Sequence, residues 1–136
     1  MNEQSNELTE NLSPDPEWNL VEEAYDEKDN QRMESLFSLG NGYFGMRGYF
    51  EEGYHGKKGA SVRGNYVNGF YDTAPIHYPE GAYGYPTEGQ AMLNVTDAGI
   101  IRLTVEGESF HLNRGQVQVY RRVLDMQNGV LHRLVE

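Results

Sequence analysis

Apolar residues at alternate positions dominate the C-terminal third of the chain, and a period of two is the signature of strands with one covered face. Ile101, Leu103 and Val105 alternate with Arg102, Thr104 and Glu106. Glu106-Gly107 then supplies a tight turn into Ser109–Leu112, and Asn113-Arg114-Gly115 supplies the next. Val117 and Val119 alternate with Gln118 and Tyr120. Asn128-Gly129, the strongest two-residue hairpin signal, precedes Val130–Val135. Short strands with turn chemistry between them predict an antiparallel meander within a β-sandwich, an all-β fold. No stretch keeps a helical period beyond a turn or two, and there is no internal repeat.

Upstream the pattern is less regular. Trp18, Leu20, Val21, Ala24 and Tyr25 suit either a short strand or one helical turn. Residues 54–62 and 72–90, the latter holding Pro75, Pro79 and Pro86, read as long irregular loops. Residues 1–16 are polar, acidic and closed by Pro14 and Pro16, which predicts a mobile leader before a single domain over 17–136. A chain of 136 residues, 38% of them hydrophobic, supports one core and leaves little room for two.

The run FSLGNGYFGMRGYFEEGY at 37–54 holds Gly40, Gly42 and Gly45 in the spacing of a dinucleotide-binding loop. That spacing works only where a strand turns into a helix whose N-terminus receives a pyrophosphate. Met46, Arg47, Gly48, Tyr49 and Phe50 follow, a glycine-broken aromatic run that disfavours a helix. The glycines are therefore read as a strand-turn-strand, with Phe37, Tyr43, Phe44 and Phe50 as packing residues. Arg47 lies in apolar surroundings, where an unpaired charge is costly to bury. It is expected to pair with Glu34 or Glu51; the competing reading is an anion contact to phosphate or sugar.

Charge and composition narrow the function classes. The net charge is −10, and residues 1–36 carry eleven carboxylates against Lys28 and Arg32, which leaves only −1 for the remainder. Such a balance argues against nucleic acid or an anionic lipid surface as partner, and no apolar run nears the roughly 20 residues that span a bilayer. There is no Cys, and the opening MNEQSNELTE lacks a signal-peptide pattern, so a cytoplasmic location is expected. His55, His77, His111 and His132 are scattered without metal-ligand spacing, and no metal site is expected. A G-x-S-x-G elbow is missing, which leaves a hydrolase triad unsupported. Glu51, Glu52 and Asp97 could serve glycoside chemistry only if one were a raised-pKa acid facing a second carboxylate. The ten tyrosines suit sugar rings and a sandwich core equally.

The 37–54 run, YVNGFYD at 66–72, AMLNVTD at 91–97 and YRRVLDMQNGVLHR at 120–133 together resemble the N-terminal domain of glycoside hydrolase family sixty-five. Four motifs in the family's order make the resemblance specific, and it covers the chain from Trp18 onward. The family includes maltose, kojibiose and trehalose phosphorylases. The resemblance implies an antiparallel β-sandwich of the galactose-mutarotase-like super-sandwich type, here partial and with long loops. In intact members a helical linker, an (α/α)6 barrel and a small β domain follow. It also implies an inverting reaction in which an acid protonates the glycosidic oxygen while inorganic phosphate attacks the anomeric carbon, releasing a sugar 1-phosphate and glucose.

The family's catalytic glutamate and phosphate site lie in the barrel, so no catalytic, cofactor-binding or metal residue carries over onto this sequence. No cofactor is implied; inorganic phosphate is the parent's co-substrate, and maltose is the expected disaccharide. The implied partners are the barrel of the same parent chain and the disaccharide. Tyr49, Phe50, Glu51 and Glu52, directly after the glycine turn, are the expected barrel-facing loop. Glu136 falls within a predicted strand, so the chain is expected to be a fragment whose exposed edge drives homo-oligomer formation. Two other readings compete: a stand-alone carbohydrate-binding or assembly module, and the N-terminal domain of a disaccharide hydrolase of the family.

Overall fold

Among the described residues, 12–54 and 56–136, the computed structural model places nine strands and a single seven-residue α-helix. The elements are β1 (Asn19–Glu22), α1 (Asn30–Leu36), β2 (Leu39–Gly40), β3 (Phe44–Met46), β4 (Asn65–Pro75), β5 (Glu88–Asn94), β6 (Thr104–Val105), β7 (Glu108–Ser109), β8 (Tyr120–Asp125) and β9 (Val130–Val135). All strand pairs are antiparallel, in three sheets ordered β1-β8-β9, β2-β3-β4-β5 and β6-β7. The expected antiparallel β architecture is present. No helix of the described residues is long and apolar enough to cross a membrane.

The ambiguous segment after Trp18 is a strand. A 3-10 turn over Pro16–Trp18, capped by the Asp15 carboxylate on the Glu17 N–H, aims Asn19–Glu22 into pairing with β8. The acidic leader up to residue 11 lies outside the described residues. From Ser13 the chain is docked: its N–H donates to Asp125 Oδ2 at 2.8 Å, its hydroxyl meets Gln127, and its carbonyl accepts from Asn19 Nδ2 at 2.9 Å.

Two apolar clusters make the interior. Met33, Phe37 and Leu124 form one, flanked by Leu20, Leu39 and Leu131; Phe50, Leu112 and Tyr120 form the other, flanked by Tyr25, Tyr54 and Val135. The glycine run is the strand-turn-strand that its residues predict, since β2 pairs β3 across a turn where Gly42 takes φ +83°. Asn41 Oδ1 closes that turn by accepting from the N–H groups of Tyr43 and Phe44. Phe37 and Phe50 are buried as expected, but Tyr43 is 69% exposed at the turn.

The meander is shorter than its pattern suggests. Glu106-Gly107 is a true two-residue turn: Val105 faces Glu108, and both turn residues have positive φ, 53° and 86°. Residues 100–103, however, are not strand. Asn128-Gly129 closes a four-residue loop, with Asp125 opposite Val130 and the Asp125 carboxylate accepting from the Asn128 backbone and side chain. The larger departure lies in the segment read as loop from residue 72, where β4 runs on to Pro75 and pairs β5. Pro75 sits opposite Glu88 at the very end of the ladder, a position where a missing N–H is tolerated. A bulge between Tyr66 and Tyr71, with Gly69 at φ +89°, interrupts the alternation.

Candidate functional site

The residues with chemistry converge where β8 and β9 meet the segment after the glycine turn. Glu22 on β1 lies directly opposite Arg122 on β8, and Arg122 lies opposite Arg133 on β9. Two arginines facing each other across a ladder repel, so each must carry its own counter-charge. Arg122, 1% exposed, donates from Nε to Glu22 Oε2 at 2.6 Å and from Nη1 to the Gly48 carbonyl at 2.8 Å. The Tyr120 hydroxyl donates to the same Glu22 oxygen. The Arg122 guanidinium lies 4.8 Å from the ring centroids of both Phe37 and Phe50, so it ties the two apolar clusters together. Gly48 is dictated by this packing: a Cβ there would stand 2.5 Å from Phe37 Cβ and 2.7 Å from its carbonyl oxygen.

Arg133 covers the Phe50 ring at 4.5 Å and takes both neighbouring carboxylates. It reaches Glu51 at 2.9 Å and Glu52 through two bonds of 2.6 Å. Burial opposes ionisation of Glu52, but the Arg133 hydrogen bonds and charge outweigh it and hold the carboxyl below its ordinary range. Burial likewise works against the Arg133 charge, and Glu52 and Glu51 more than restore it.

Tyr49 is buried, its hydroxyl within hydrogen-bond reach of Asn65 and donating to Asp97 at 2.6 Å. Burial, then the bond to Asp97, raises the phenol pKa. Asp97 also pairs with Arg63 at 2.9 Å, and the Arg63 guanidinium stacks 4.9 Å over the Tyr49 ring. Burial again opposes ionisation, while the Tyr49 hydroxyl, the Gly99 N–H and Arg63 prevail and lower the Asp97 pKa.

Of the four residues expected to face a barrel, Tyr49, Phe50 and Glu52 are thus interior to this domain, and Glu51 alone is half-buried. The sequence held no sign of Arg133, which contacts two of them from some 80 positions away. Arg47 pairs with Glu34 at 3.6 Å rather than with Glu51, and donates to the Val62 and Gln31 carbonyls and to Ser35. Among the described residues no three His, Asp or Glu converge as metal ligands; His55 lies outside them. The arrangement holds charge and shape firmly, because Glu22, Glu51, Glu52 and Asp97 are each paired with an arginine.

The segment 54–62, read from the sequence as a long irregular loop, borders open space. Two clefts meet there, of about 370 and 340 Å³, and share Tyr54 and Arg63 in their walls. Arg102 and Phe110 line the first, Lys57 and Lys58 the second.

The description "Glycosyl hydrolase family 65, N-terminal domain" matches residues 20–136. An α,α-trehalose phosphorylase of Thermoanaerobacter brockii is 46% identical over 132 residues, which is 97% of this chain and 17% of that protein. A kojibiose phosphorylase of the same organism is 35% identical over 90% of this chain and 14% of its own length. The maltose phosphorylase of Bacillus subtilis is 32% identical over 86% of this chain and 15% of its length. Among solved structures, a putative kojibiose phosphorylase from human microbiome superposes with a TM-score of 0.71 at 31% identity, over 91% of this chain and 16% of that one. The chain therefore spans about one sixth of the length of these relatives.

Proposed function

The chain belongs to glycosyl hydrolase family 65 through its N-terminal domain, and we propose that it is the non-catalytic module of an inverting disaccharide phosphorylase. In this reading a longer parent polypeptide supplies the barrel, the general acid and the phosphate site. One observation supports it above the rest: Glu51, Glu52 and Asp97, the carboxylates placed for glycoside chemistry, are each bound to an arginine. A general acid must keep its proton near neutral pH, and Glu52 and Asp97 are pulled the other way.

The reaction proposed for the parent is attack of inorganic phosphate on the anomeric carbon as the glycosidic C–O bond breaks. The glycosidic oxygen takes a proton and leaves on glucose, and a sugar 1-phosphate of inverted configuration remains. We assign α,α-trehalose rather than maltose as substrate. Two trehalose phosphorylases match at 46% and 38%, ahead of kojibiose phosphorylases at 35% and 33% and maltose phosphorylase at 32%. A cytoplasmic location and self-association along the outer edge of β9 belong to the same reading; a monomeric 15.5 kDa mass by light scattering would remove the latter.

The test is phosphorolysis of trehalose, kojibiose and maltose by the parent polypeptide and by the 136-residue chain. The parent is expected to release sugar 1-phosphate fastest from trehalose, and the chain alone is expected to release none. Turnover by the chain alone would overturn the non-catalytic role, and a parent that prefers maltose or kojibiose would overturn the substrate.

A further inference from the structure

Among the described residues, six of the eleven lysines and arginines are held in ion pairs: Arg32, Arg47, Arg63, Arg121, Arg122 and Arg133. Lys57, Lys58 and Arg102 are not, and all three line the two clefts that meet at Tyr54 and Arg63. On a chain of net charge −10 this is a local excess of cations outside any close ion pair, although the Lys57 charge also acts on Glu27.

The loop that carries the two lysines is firmly built. The Lys57 N–H donates to Glu27 Oε1 at 2.8 Å, and the Tyr54 hydroxyl donates to the same oxygen at 2.6 Å. Gln31 and Asn30 of α1 donate to the carbonyls of Gly59 and Ala60. Glu34 accepts from the Ser61 hydroxyl and, at 2.7 Å, from the Val62 N–H. Gly59, at φ +86°, turns the loop so that the Ala60 N–H returns to the Lys57 carbonyl at 3.0 Å. Four side chains, Glu27, Asn30, Gln31 and Glu34, thus hold in place a segment whose own lysines stay exposed.

We propose that Lys57, Lys58 and Arg102, with Arg63 fixed between them, bind a small phosphate-bearing molecule, either inorganic phosphate or a sugar phosphate. Arg63 is set by Asp97 and by its stack on Tyr49, with its Nε and Nη2 buried, so it fixes the wall shared by the two clefts and leaves the ligand contacts to Lys57, Lys58 and Arg102. Three of the nearby carboxylates are occupied: Glu52 by Arg133, Asp97 by Tyr49 and Arg63, and Glu27 by Tyr54 and the Lys57 N–H. Ile100, Leu103 and Phe110 form an apolar wall in the first cleft, against which a sugar ring can rest beside the phosphate. The site stands on this chain's geometry and does not depend on the reaction proposed for the parent.

Titration of the 15N-labelled 136-residue chain with inorganic phosphate, glucose 1-phosphate and, as neutral control, glucose at constant ionic strength tests it. Saturable amide shifts are expected at residues 57–59, 63 and 102 with both phosphate compounds and not with glucose. Lys57→Gln/Lys58→Gln and Arg102→Gln should each weaken binding by about tenfold, the loss expected for a charge-assisted contact. Lys57→Arg/Lys58→Arg should retain it, and unshifted β8 and β9 amides report that each variant is folded. Tighter binding of glucose 1-phosphate assigns the apolar wall to the sugar ring, and equal binding assigns the site to phosphate alone. Absence of saturation, equal shifts with glucose, or unchanged affinity in both glutamine variants would overturn the proposal.

Discussion

Replacing Arg122 by Met should be among the most damaging single changes in this chain. The substitution keeps roughly the length of the stem but strands Glu22, itself buried, without its cation, and leaves the Gly48 carbonyl without its donor. Breaking one side of a buried ion pair costs about 3–5 kcal/mol, and an orphaned buried carbonyl about 1–3 kcal/mol. These terms overlap, so about 4 kcal/mol is expected, a large share of the 5–15 kcal/mol typical of a domain. Urea unfolding followed by far-UV circular dichroism measures it. The decisive comparison is Arg122→Met/Glu22→Leu, which removes both charges. The Gly48 carbonyl still lacks its donor and the Tyr120 hydroxyl now lacks its acceptor, but no unpaired charge stays buried, so the double variant should be more stable than Arg122→Met alone by at least about 2 kcal/mol. A loss below about 1 kcal/mol in the single variant, or simple additivity, would refute the view that this arginine joins the two clusters.

Other outcomes follow from the same contacts. Gly48→Ala should destabilise by about 2 kcal/mol or more because Phe37 cannot retreat. Gly42→Ala, with open space around it and strain only in φ, should cost about 1 kcal/mol in the same melts. Glu52 and Asp97 are both more acidic folded than their ordinary 4.5 and 3.8, so their contribution is complete above about pH 4.5 and drains away as pH falls through the lower folded values. Stability measured from pH 6 down to pH 3 should therefore decline, and Arg133→Met should flatten the decline; an unchanged slope would show that Arg133 does not hold Glu52. Tyr49→Phe removes the hydroxyl bonded to Asp97 and should lower stability by about 1–3 kcal/mol, with the thermal midpoint as readout.

What could be read from the residues was whatever depends on near neighbours. The turn at Glu106-Gly107, the strand-turn-strand through Gly42 and the Arg47–Glu34 pair each involve partners within 13 positions. Strand β4 was misread because Pro75 and the glycines that follow mimic loop chemistry, whereas Pro75 only closes the ladder. The family resemblance was legible from four motifs, yet the roles of their residues were not. Glu51 and Glu52, expected in a barrel-facing loop, are instead met by Arg133 from β9, and nothing near Arg122 in the sequence points to Glu22, a hundred positions earlier. Lysines 57 and 58 sat in plain view, but the anchoring of their loop by Glu27, Asn30, Gln31 and Glu34 depends on contacts about 30 positions apart.

The pairing of β1 with β8 sets an order of events during synthesis. Asn19 meets Asp125 and Glu22 meets Arg122, so β1 must wait for about a hundred further residues before its partner exists. At ribosomal rates of about 5–20 residues per second that is a delay on the order of ten seconds. Over that interval the β2–β5 sheet has all its strands and can form, while Leu20 and the carboxylate of Glu22 stay in water. The sheet that closes the interior is then the last to assemble, and the nascent chain is most exposed to proteases and to wrong strand partners just before β8 emerges.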